Sequence, residues 1–341
     1  MAGQKFKRMC FGHGESLAIA AAATKQGQDD GGRAMGAGRW GQGDGGRGLW
    51  RTSFVLLFCP HRFATFQLAT RGVAMPIEVD SEIQVLDRDE FQSFAYRVMG
   101  IIYSAHNEFS RLIDETPFKN IIRRRCELAG VAPARREVEI RVSHKNFCKS
   151  YYMDLLLGHA LMVEAKTVDC LTPAHDAQTI NYLLLSGMKH GLLVNLRTPR
   201  VQKRFISTNL DSAARHRFAI DTKRWRGVND ASVRLREVLE DLLNDWGVFL
   251  SASLYREATL YLLKGFQSES RRVPIFDGNF QAGMHDVFLI DIDTAMAITT
   301  LTDGDAEMET QLKRLLYHTS LRCIQWANLN HHDVQMATLE L

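Results

Sequence analysis

Apolar residues recur every three or four positions in the segment that follows residue 87, which predicts an amphipathic helix ending near residue 108. The residues that form this stripe are Phe91, Ala95, Val98, Ile102 and Ala105. Asp87 and Glu90 have the spacing of a capping box at the start of that helix. A second helix is predicted from about Asp114 to Leu128, where Gly130 ends it.

Strand patterns follow the two helices. Residues 137–142 alternate between polar and apolar side chains, and residues 151–157 and 160–166 are two further predicted strands. A helix is predicted from Pro173 to about Leu185, and Gly191–Leu196 is a short apolar strand. The order helix, helix, three strands, helix, strand predicts an α+β fold in which a meander is followed by a crossover connection.

The first 80 residues differ from the rest of the chain. Residues 31–48 are rich in Gly and Arg and hold hardly any apolar residues, so they cannot bury enough surface to offset the entropy lost on ordering. We therefore predict that residues 1–80 are a disordered tail, or that the start is mis-assigned and Met75 is the true initiator. Gly36–Gly41 matches GxGxxG, but the sequence has no strand pattern before it and no helical pattern after it, which argues against a dinucleotide site.

Composition adds limits on the function. The net charge is +3, yet residues 1–74 hold ten basic and four acidic residues and the remainder is acidic, so overall charge does not indicate a nucleic-acid partner. The six cysteines form no CxxC pair, and we expect a reducing, cytoplasmic location. The longest apolar runs near the start, 17–23 and 54–59, are shorter than the roughly 20 residues that span a bilayer, so no membrane segment is predicted.

Three charged residues interrupt two of the predicted apolar strands. Asp154 precedes three leucines, and Glu164 and Lys166 lie two apart on the next strand, so their side chains point to the same face. Charges in apolar strands are costly unless they are paired or bound to a metal. An Asp and a Glu on adjacent strands offer hard oxygen ligands for one divalent cation. The spacing also fits a Glu164–Lys166 surface pair on an edge strand, with Asp154 closing a turn.

Several short motifs in residues 84–206 have the order and approximate spacing of the motifs of a known family. On these motifs the segment resembles the GxxExxY protein family, a branch of the PD-(D/E)xK nuclease superfamily. The motifs are His106-Asn-Glu108, Glu115, Asp154, Glu164-Ala-Lys166, His175, Gln178, Tyr182, Ser186-Gly187 and Gly191–Leu196. The helix motif departs from the family at two positions, because Leu112 replaces Gly and Phe118 replaces Tyr.

The resemblance implies a restriction-endonuclease-like core that hydrolyses phosphodiesters in DNA or RNA with Mg²⁺ or Mn²⁺. Asp154 and Glu164 would bind the metal, Glu115 would be a further acid near it, and Lys166 would position or activate water.

The resemblance also implies that Gln178 and Tyr182, which share one helix face, position the substrate or the lysine. On residue type alone, these two side chains also fit a buried hydrogen bonder and a core aromatic. His175 fits the N-terminus of a helix better than a metal ligand.

The second half of the chain repeats parts of the first. Asn279-Phe280 and Asp286 resemble Asn146-Phe147 and Asp154, while Gln311 and Asn328-Leu329 resemble Gln178 and Asn195-Leu196. Tyr255 corresponds to Phe118 and Ala252 to Glu115, and we align Met296 and Ile298 with Glu164 and Lys166. Residues 229–341 are therefore predicted to be a duplicated, degenerate and inactive copy, with chance similarity as the alternative.

Charge distinguishes the two halves. Residues 75–206 hold 18 basic and 16 acidic residues, whereas residues 207–341 hold 14 and 19. Candidate phosphate contacts therefore lie in the first half, at Arg123–Arg125, Arg135–Arg136 and Lys145–Lys149, although such runs are more often solvated faces. We expect the acidic second half to brace the first half rather than to mimic nucleic acid.

The sequence thus favours a metal-dependent nuclease. Its first rival is a non-catalytic nucleic-acid-binding or scaffold protein on a vestigial nuclease fold. A hydrolase of another kind is disfavoured, because the chain has no GxSxG, HExxH or Walker A motif. The sequence does not indicate an oligomeric state.

Overall fold

Two six-stranded sheets organise the chain in the computed structural model, which describes residues 76–264 and 269–341. The GxGxxG segment, the alternative start at Met75 and nearly all of the predicted disordered tail lie outside these residues. Among the described helices, none is both long enough and apolar enough to cross a membrane.

The elements of the first half are β1 (Ile77–Val79), α1 (Arg88–Phe109), α2 (Glu115–Leu128), β2 (Ala134–His144), β3 (Phe147–Leu157), β4 (Leu161–Lys166), α3 (Pro173–Ser186), β5 (His190–Asn195) and β6 (Gln202–Ser207). The first sheet holds strands β1 to β6 in chain order. Neighbouring strands are antiparallel except β4 and β5, which are parallel and joined through helix α3. This is the predicted meander and crossover, with β1 and β6 added at the two edges.

The helices of the first half cover both faces of this sheet. The predicted apolar stripe of α1 is buried, and with α2 it packs on Leu155, Val163 and Leu192. Helix α3 packs on the opposite face, against Met162 and Leu193. The predicted capping box at the start of α1 is formed. The mixed α/β layering therefore follows from the helical and strand periods of the sequence.

The second sheet has the order β7-β12-β11-β10-β9-β8. Strands β8 to β12 pair in the same directions as β2 to β6: antiparallel, antiparallel, parallel and antiparallel. The elements are α4 (Ser212–Arg215), β7 (Ala219–Arg224), α5 (Asp230–Trp246), α6 (Ala252–Leu262), β8 (Glu269–Asp277), β9 (Phe280–Leu289), β10 (Thr294–Thr299), α7 (Asp305–Tyr317), β11 (Cys323–Asn330) and β12 (Asp333–Leu339).

The two halves share one hydrophobic cluster. Trp246 and Tyr255 from α5 and α6 are fully buried in it, together with residues of β2, β3 and α3 from the first half. The Phe147 and Trp246 rings lie 5.9 Å apart, and the Trp246 Nε1–H donates to the Ser143 carbonyl at 2.9 Å. Burial of this kind contributes about 25 cal/mol per Å² of apolar surface, so the second half stabilises the sheet that carries the candidate site.

Candidate active site

Asp154 lies where the ladder between β2 and β3 is interrupted. Arg136 pairs with Leu155 and Val138 with Met153, but Glu137 and Asp154 form no pair, and Glu137 has a left-handed φ of 49°. The register is the same on both sides of this interruption, so one residue of each strand leaves the ladder without a bulge. Here the Glu137 and Asp154 side chains both reach the same ammonium group on α2.

That ammonium group belongs to Lys119, which is 6% exposed. Its Nζ donates to Asp154 Oδ1 at 2.8 Å and to Glu137 Oε1 at 2.9 Å, and lies 3.3 Å from Glu115 Oε1. The second oxygen of Asp154 accepts from the Ala165 backbone N–H at 2.9 Å. Both carboxylate oxygens of Asp154 therefore have a protein donor.

Electrostatics keep this lysine charged. Burial lowers the pKa of Lys119, but hydrogen bonds and charge from Asp154 and Glu137 outweigh burial and leave the pKa above its ordinary value. Burial raises the pKa of Glu137, yet the Lys119 contact reverses that effect and the pKa is lowered. The cluster is a buried cation neutralised by acids from three elements.

Glu164 and Lys166 form a second pair on β4. Lys166 Nζ lies 2.7 Å from Glu164 Oε1, and Glu164 is 1% exposed. Strand β4 lies between β3 and β5 inside the sheet. The alternative of a surface pair on an edge strand is therefore wrong.

The charge of Asp154 affects the pKa values of both members of this pair. Burial, together with the negative charge of Asp154, raises the pKa of Glu164 to about 7, although Lys166 opposes the shift. Burial lowers the pKa of Lys166, but the charges of Glu164, Asp154 and Glu115 outweigh it and the pKa is raised. Lys166 is thus stabilised in its charged form by three acids, and Glu164 is affected by both Asp154 and Lys166.

One oxygen of this cluster has no partner among the residues that the structure describes. Glu164 Oε2 is buried and accepts no hydrogen bond from any of them, which is costly for a carboxylate oxygen. Carboxylate oxygens such as those of Asp154 and Glu164 are the ligands that hard divalent cations prefer. The unpaired oxygen of Glu164 is therefore suited to bind such an ion. Within the described ranges, however, no three His, Cys, Asp or Glu side chains are grouped to hold a metal.

The predicted positioning residues lie beside this cluster. Gln178 Nε2 donates to the Tyr182 hydroxyl at 3.0 Å, one helical turn apart on α3. Burial raises the pKa of Tyr182, and the charge of Glu164 adds to the shift. His175 accepts from the Thr172 backbone N–H at 2.9 Å and so caps α3, as expected.

Lys119 and Glu137 were not among the predicted site residues. Lys119 follows Glu115 by four positions on a predicted helix, so the two share a helix face, and this signal could have been found. Glu137 could not, because its approach depends on the interruption of the β2–β3 ladder.

Most candidate phosphate contacts are paired with acids of the protein itself. The pairs are Arg123 with Glu127, Arg125 with Glu108, Arg135 with Asp80, Arg136 with Glu137, Lys145 with Asp241 and Lys149 with Glu257. The last two join the halves, so acids of the second half neutralise cations of the first half.

The second sheet corrects part of the predicted alignment. The Asn195 side chain accepts a hydrogen bond from the Val168 N–H and donates one to the Val168 carbonyl. The Asn328 side chain makes the same two hydrogen bonds with Leu301. Asn195 pairs with Lys166 and Asn328 with Thr299. Thr299, rather than Ile298, therefore takes the place of Lys166.

The same register moves the other two positions by one residue. Ala297, rather than Met296, stands at the place of Glu164. Val163 pairs with Leu155 and Met296 with Phe288, so Val287 rather than Asp286 stands at the place of Asp154. Met296 and Ile298 instead pack in the cluster shared by the halves. The second sheet therefore has a valine, an alanine and a threonine where the first has Asp, Glu and Lys.

Comparison with known proteins bears on the first half of the chain. The family model described as the PD-(D/E)XK nuclease superfamily matches residues 92–207, about a third of the chain. No curated protein and no solved structure matched. The resemblance drawn from the motifs is thus confirmed for the superfamily, while the GxxExxY branch stays a prediction. The matched segment contains Asp154, Glu164 and Lys166 and is similar to the PD-(D/E)XK nuclease superfamily.

Proposed function

We propose that residues 84–206 form a nuclease domain that hydrolyses phosphodiester bonds of DNA or RNA with Mg²⁺ or Mn²⁺. The observation that supports this proposal most directly is the buried Glu164–Lys166 pair beside Asp154, in which Glu164 Oε2 has no partner among the described residues. The match to a nuclease superfamily over residues 92–207 supports it.

Asp154 and Glu164 are the residues that would hold the metal. Once bound, a divalent cation polarises the phosphodiester and lowers the pKa of a bound water. Lys166, held 2.7 Å from Glu164, orients the attacking water or neutralises charge that develops on the phosphate. Gln178 and Tyr182 of α3, which are hydrogen-bonded to each other, would position the substrate or the lysine.

Lys119 sets a condition on metal entry. Its ammonium group donates to Asp154 Oδ1, so a cation that bound this oxygen would compete with Lys119. Glu115 and Glu137 contact the same ammonium and would remain its partners. In the structure Lys119 neutralises the charge of Asp154, and Glu115 and Glu137 share that lysine.

A cleavage assay tests the proposal. The intact chain is incubated with single- and double-stranded DNA and RNA in Mg²⁺ or Mn²⁺, and with EDTA as the blank. Asp154→Ala, Glu164→Gln and Lys166→Met are each expected to lower the rate at least about 100-fold.

The matched control is Glu237→Gln, which removes one member of an exposed ion pair on α5 and should leave cleavage unchanged. A chain that cleaves no substrate under these conditions, or site variants that cleave as well as the control, would refute the nuclease proposal.

The second candidate is a non-catalytic nucleic-acid-binding or scaffold protein on the same fold. The contact of Lys119 with Asp154 favours it, because an internal cation already neutralises that carboxylate. Calorimetry separates the two: Mn²⁺ binding that disappears in Glu164→Gln supports the enzyme, and no binding supports the scaffold.

We further propose that residues 229–341 are a degenerate second copy that braces the first. The repeated pairing directions of the two sheets and the matching roles of Asn195 and Asn328 support a duplication. The shared cluster and the ion pairs of Lys145 and Lys149 with α5 and α6 support bracing.

A further inference from the structure

A groove runs between α1 and the edge strand β6, and it shares no residue with the candidate active site. Its volume is about 560 Å³. The residues that shape the argument are Gln92, Tyr96, Arg97, Tyr103, Lys203 and Phe205.

Three exposed aromatic rings line this groove. Tyr96 is 81% exposed, Tyr103 39% and Phe205 48%. The tyrosines are seven residues apart on α1, which places them about 10.5 Å apart along the helix axis on nearly the same side. The Phe205 ring makes an edge-to-face contact with the Phe91 ring, with the ring centres 5.8 Å apart. Between the tyrosines, a Cβ on Gly100 would meet no atom within 4 Å, so the floor of the groove is open.

The charge of the groove is positive. Arg97 and Lys203 line it, and no Asp or Glu is among its lining residues. Lys203 Nζ lies 5.3 Å from the centre of the Phe205 ring, whereas neither cation forms a salt bridge with any described residue. This differs from Lys145 and Lys149, which acids of the second half neutralise.

We propose that this groove binds single-stranded nucleic acid. Unpaired bases stack on exposed aromatic rings whatever their sequence, and cations beside the rings bind the phosphates. A duplex hides its base faces, so the rings favour single strands. The inference rests on the proposed function for the kind of polymer and adds a binding site outside the cleavage site.

Fluorescence anisotropy tests this proposal on the intact chain. Labelled single-stranded DNA and RNA and the matching duplexes are titrated in EDTA, so that no cleavage occurs. Single strands are expected to bind more tightly than duplexes. Tyr96→Ala and Tyr103→Ala should each weaken binding about fivefold or more. Lys203→Ala should make the slope of the logarithm of the binding constant against the logarithm of the salt concentration less steep, by the amount that corresponds to about one phosphate contact.

The matched control is Tyr317→Ala, which truncates a tyrosine that is 73% exposed on α7 and should leave binding unchanged. All variants are on exposed positions, and their melting temperatures verify that they fold. The proposal is wrong if Tyr96→Ala and Tyr103→Ala bind as the control does, or if duplex binds as tightly as single strand. It is also wrong if these variants instead dissociate a dimer in sedimentation, since the groove would then hold a second copy.

The outcome is separable from that of the nuclease proposal. Binding that persists in Asp154→Ala, with no cleavage by the unmodified chain, would refute the nuclease and leave the groove. Cleavage that persists while the groove variants bind normally would refute the groove alone.

Discussion

Replacing Lys119 with methionine removes the ammonium group that contacts Asp154, Glu137 and Glu115 while keeping a side chain of similar length. The effects on the three carboxylates differ, because their exposure differs. The side chains of Glu115 and Glu137 are 33% and 45% exposed, so water replaces the lost contact. The Asp154 side chain is 10% exposed and retains the hydrogen bond from the Ala165 N–H.

The cost of this substitution therefore falls on Asp154. Removing one partner of a buried ion pair typically costs about 3–5 kcal/mol, because an uncompensated charge is left behind. The remaining bond from Ala165 reduces that cost, so we expect Lys119→Met to lower the free energy of unfolding by about 3 kcal/mol at pH 7. Arg123→Met, one turn further along α2, breaks an exposed pair with Glu127 and should cost less than about 0.5 kcal/mol.

Urea unfolding in EDTA, followed by far-UV circular dichroism, measures both variants. The double variant Lys119→Met with Asp154→Asn closes a thermodynamic cycle, and we expect Lys119→Met to cost far less when Asp154→Asn is already present. If the metal proposal holds, Mn²⁺ should raise the melting temperature of Lys119→Met more than that of the unmodified chain. Equal stabilities of Lys119→Met and Arg123→Met would refute the buried-pair reasoning, whatever the enzyme does.

Other expectations follow from the buried polar groups and the shared cluster. Because burial raises the pKa of Glu164 to about 7, its contribution to stability is fully present below pH 4.5 and is lost as pH rises through 7. Urea unfolding should show a pH-dependent loss of about 3 kcal/mol that Glu164→Gln abolishes, and identical pH slopes would contradict this. Asn195→Ala and Asn328→Ala should each cost about 1–3 kcal/mol in the same assay, since each unpairs two backbone groups; a cost in one alone would argue against equivalent roles. Trp246→Ala should cost about 3–5 kcal/mol in calorimetry and keep a single transition, whereas two separated transitions would show that the halves unfold independently.

Local periodicity was sufficient for the layout of the first half. The stripe of α1, the capping box at Asp87 and the apolar run of β4 are properties of short segments, and the structure has each where it was predicted. Strands β1 and β6 were missed, because a three-residue strand and a largely polar edge strand have no strong period.

The site was only partly predictable. Glu164 and Lys166 follow from alternation on one strand, but the contact of Lys119 with Asp154 joins a helix to a strand 35 residues away, and the β2–β3 ladder is interrupted at that point. The alignment of Asp286, Met296 and Ile298 was wrong by one residue, while that of Asn328 with Asn195 agrees with the register. Sequence similarity aligned Ile298 with Lys166. The register of a strand, however, is set by hydrogen bonding across the sheet, and a shift of one residue turns every side chain to the other face.

The register also gives a physical account of the second half. Val287, Ala297 and Thr299 stand where Asp154, Glu164 and Lys166 stand in the first half, and the first two are packed beneath α7. Charged groups at these places would need partners to offset their desolvation, and apolar or small residues need none. The opposite face of the same sheet carries Met296 and Ile298 into the cluster shared with the first half, where packing restricts which side chains fit. Small or apolar residues at these three places therefore need no ion partner, and the packing of Met296 and Ile298 against the first half lies on the other face of the sheet.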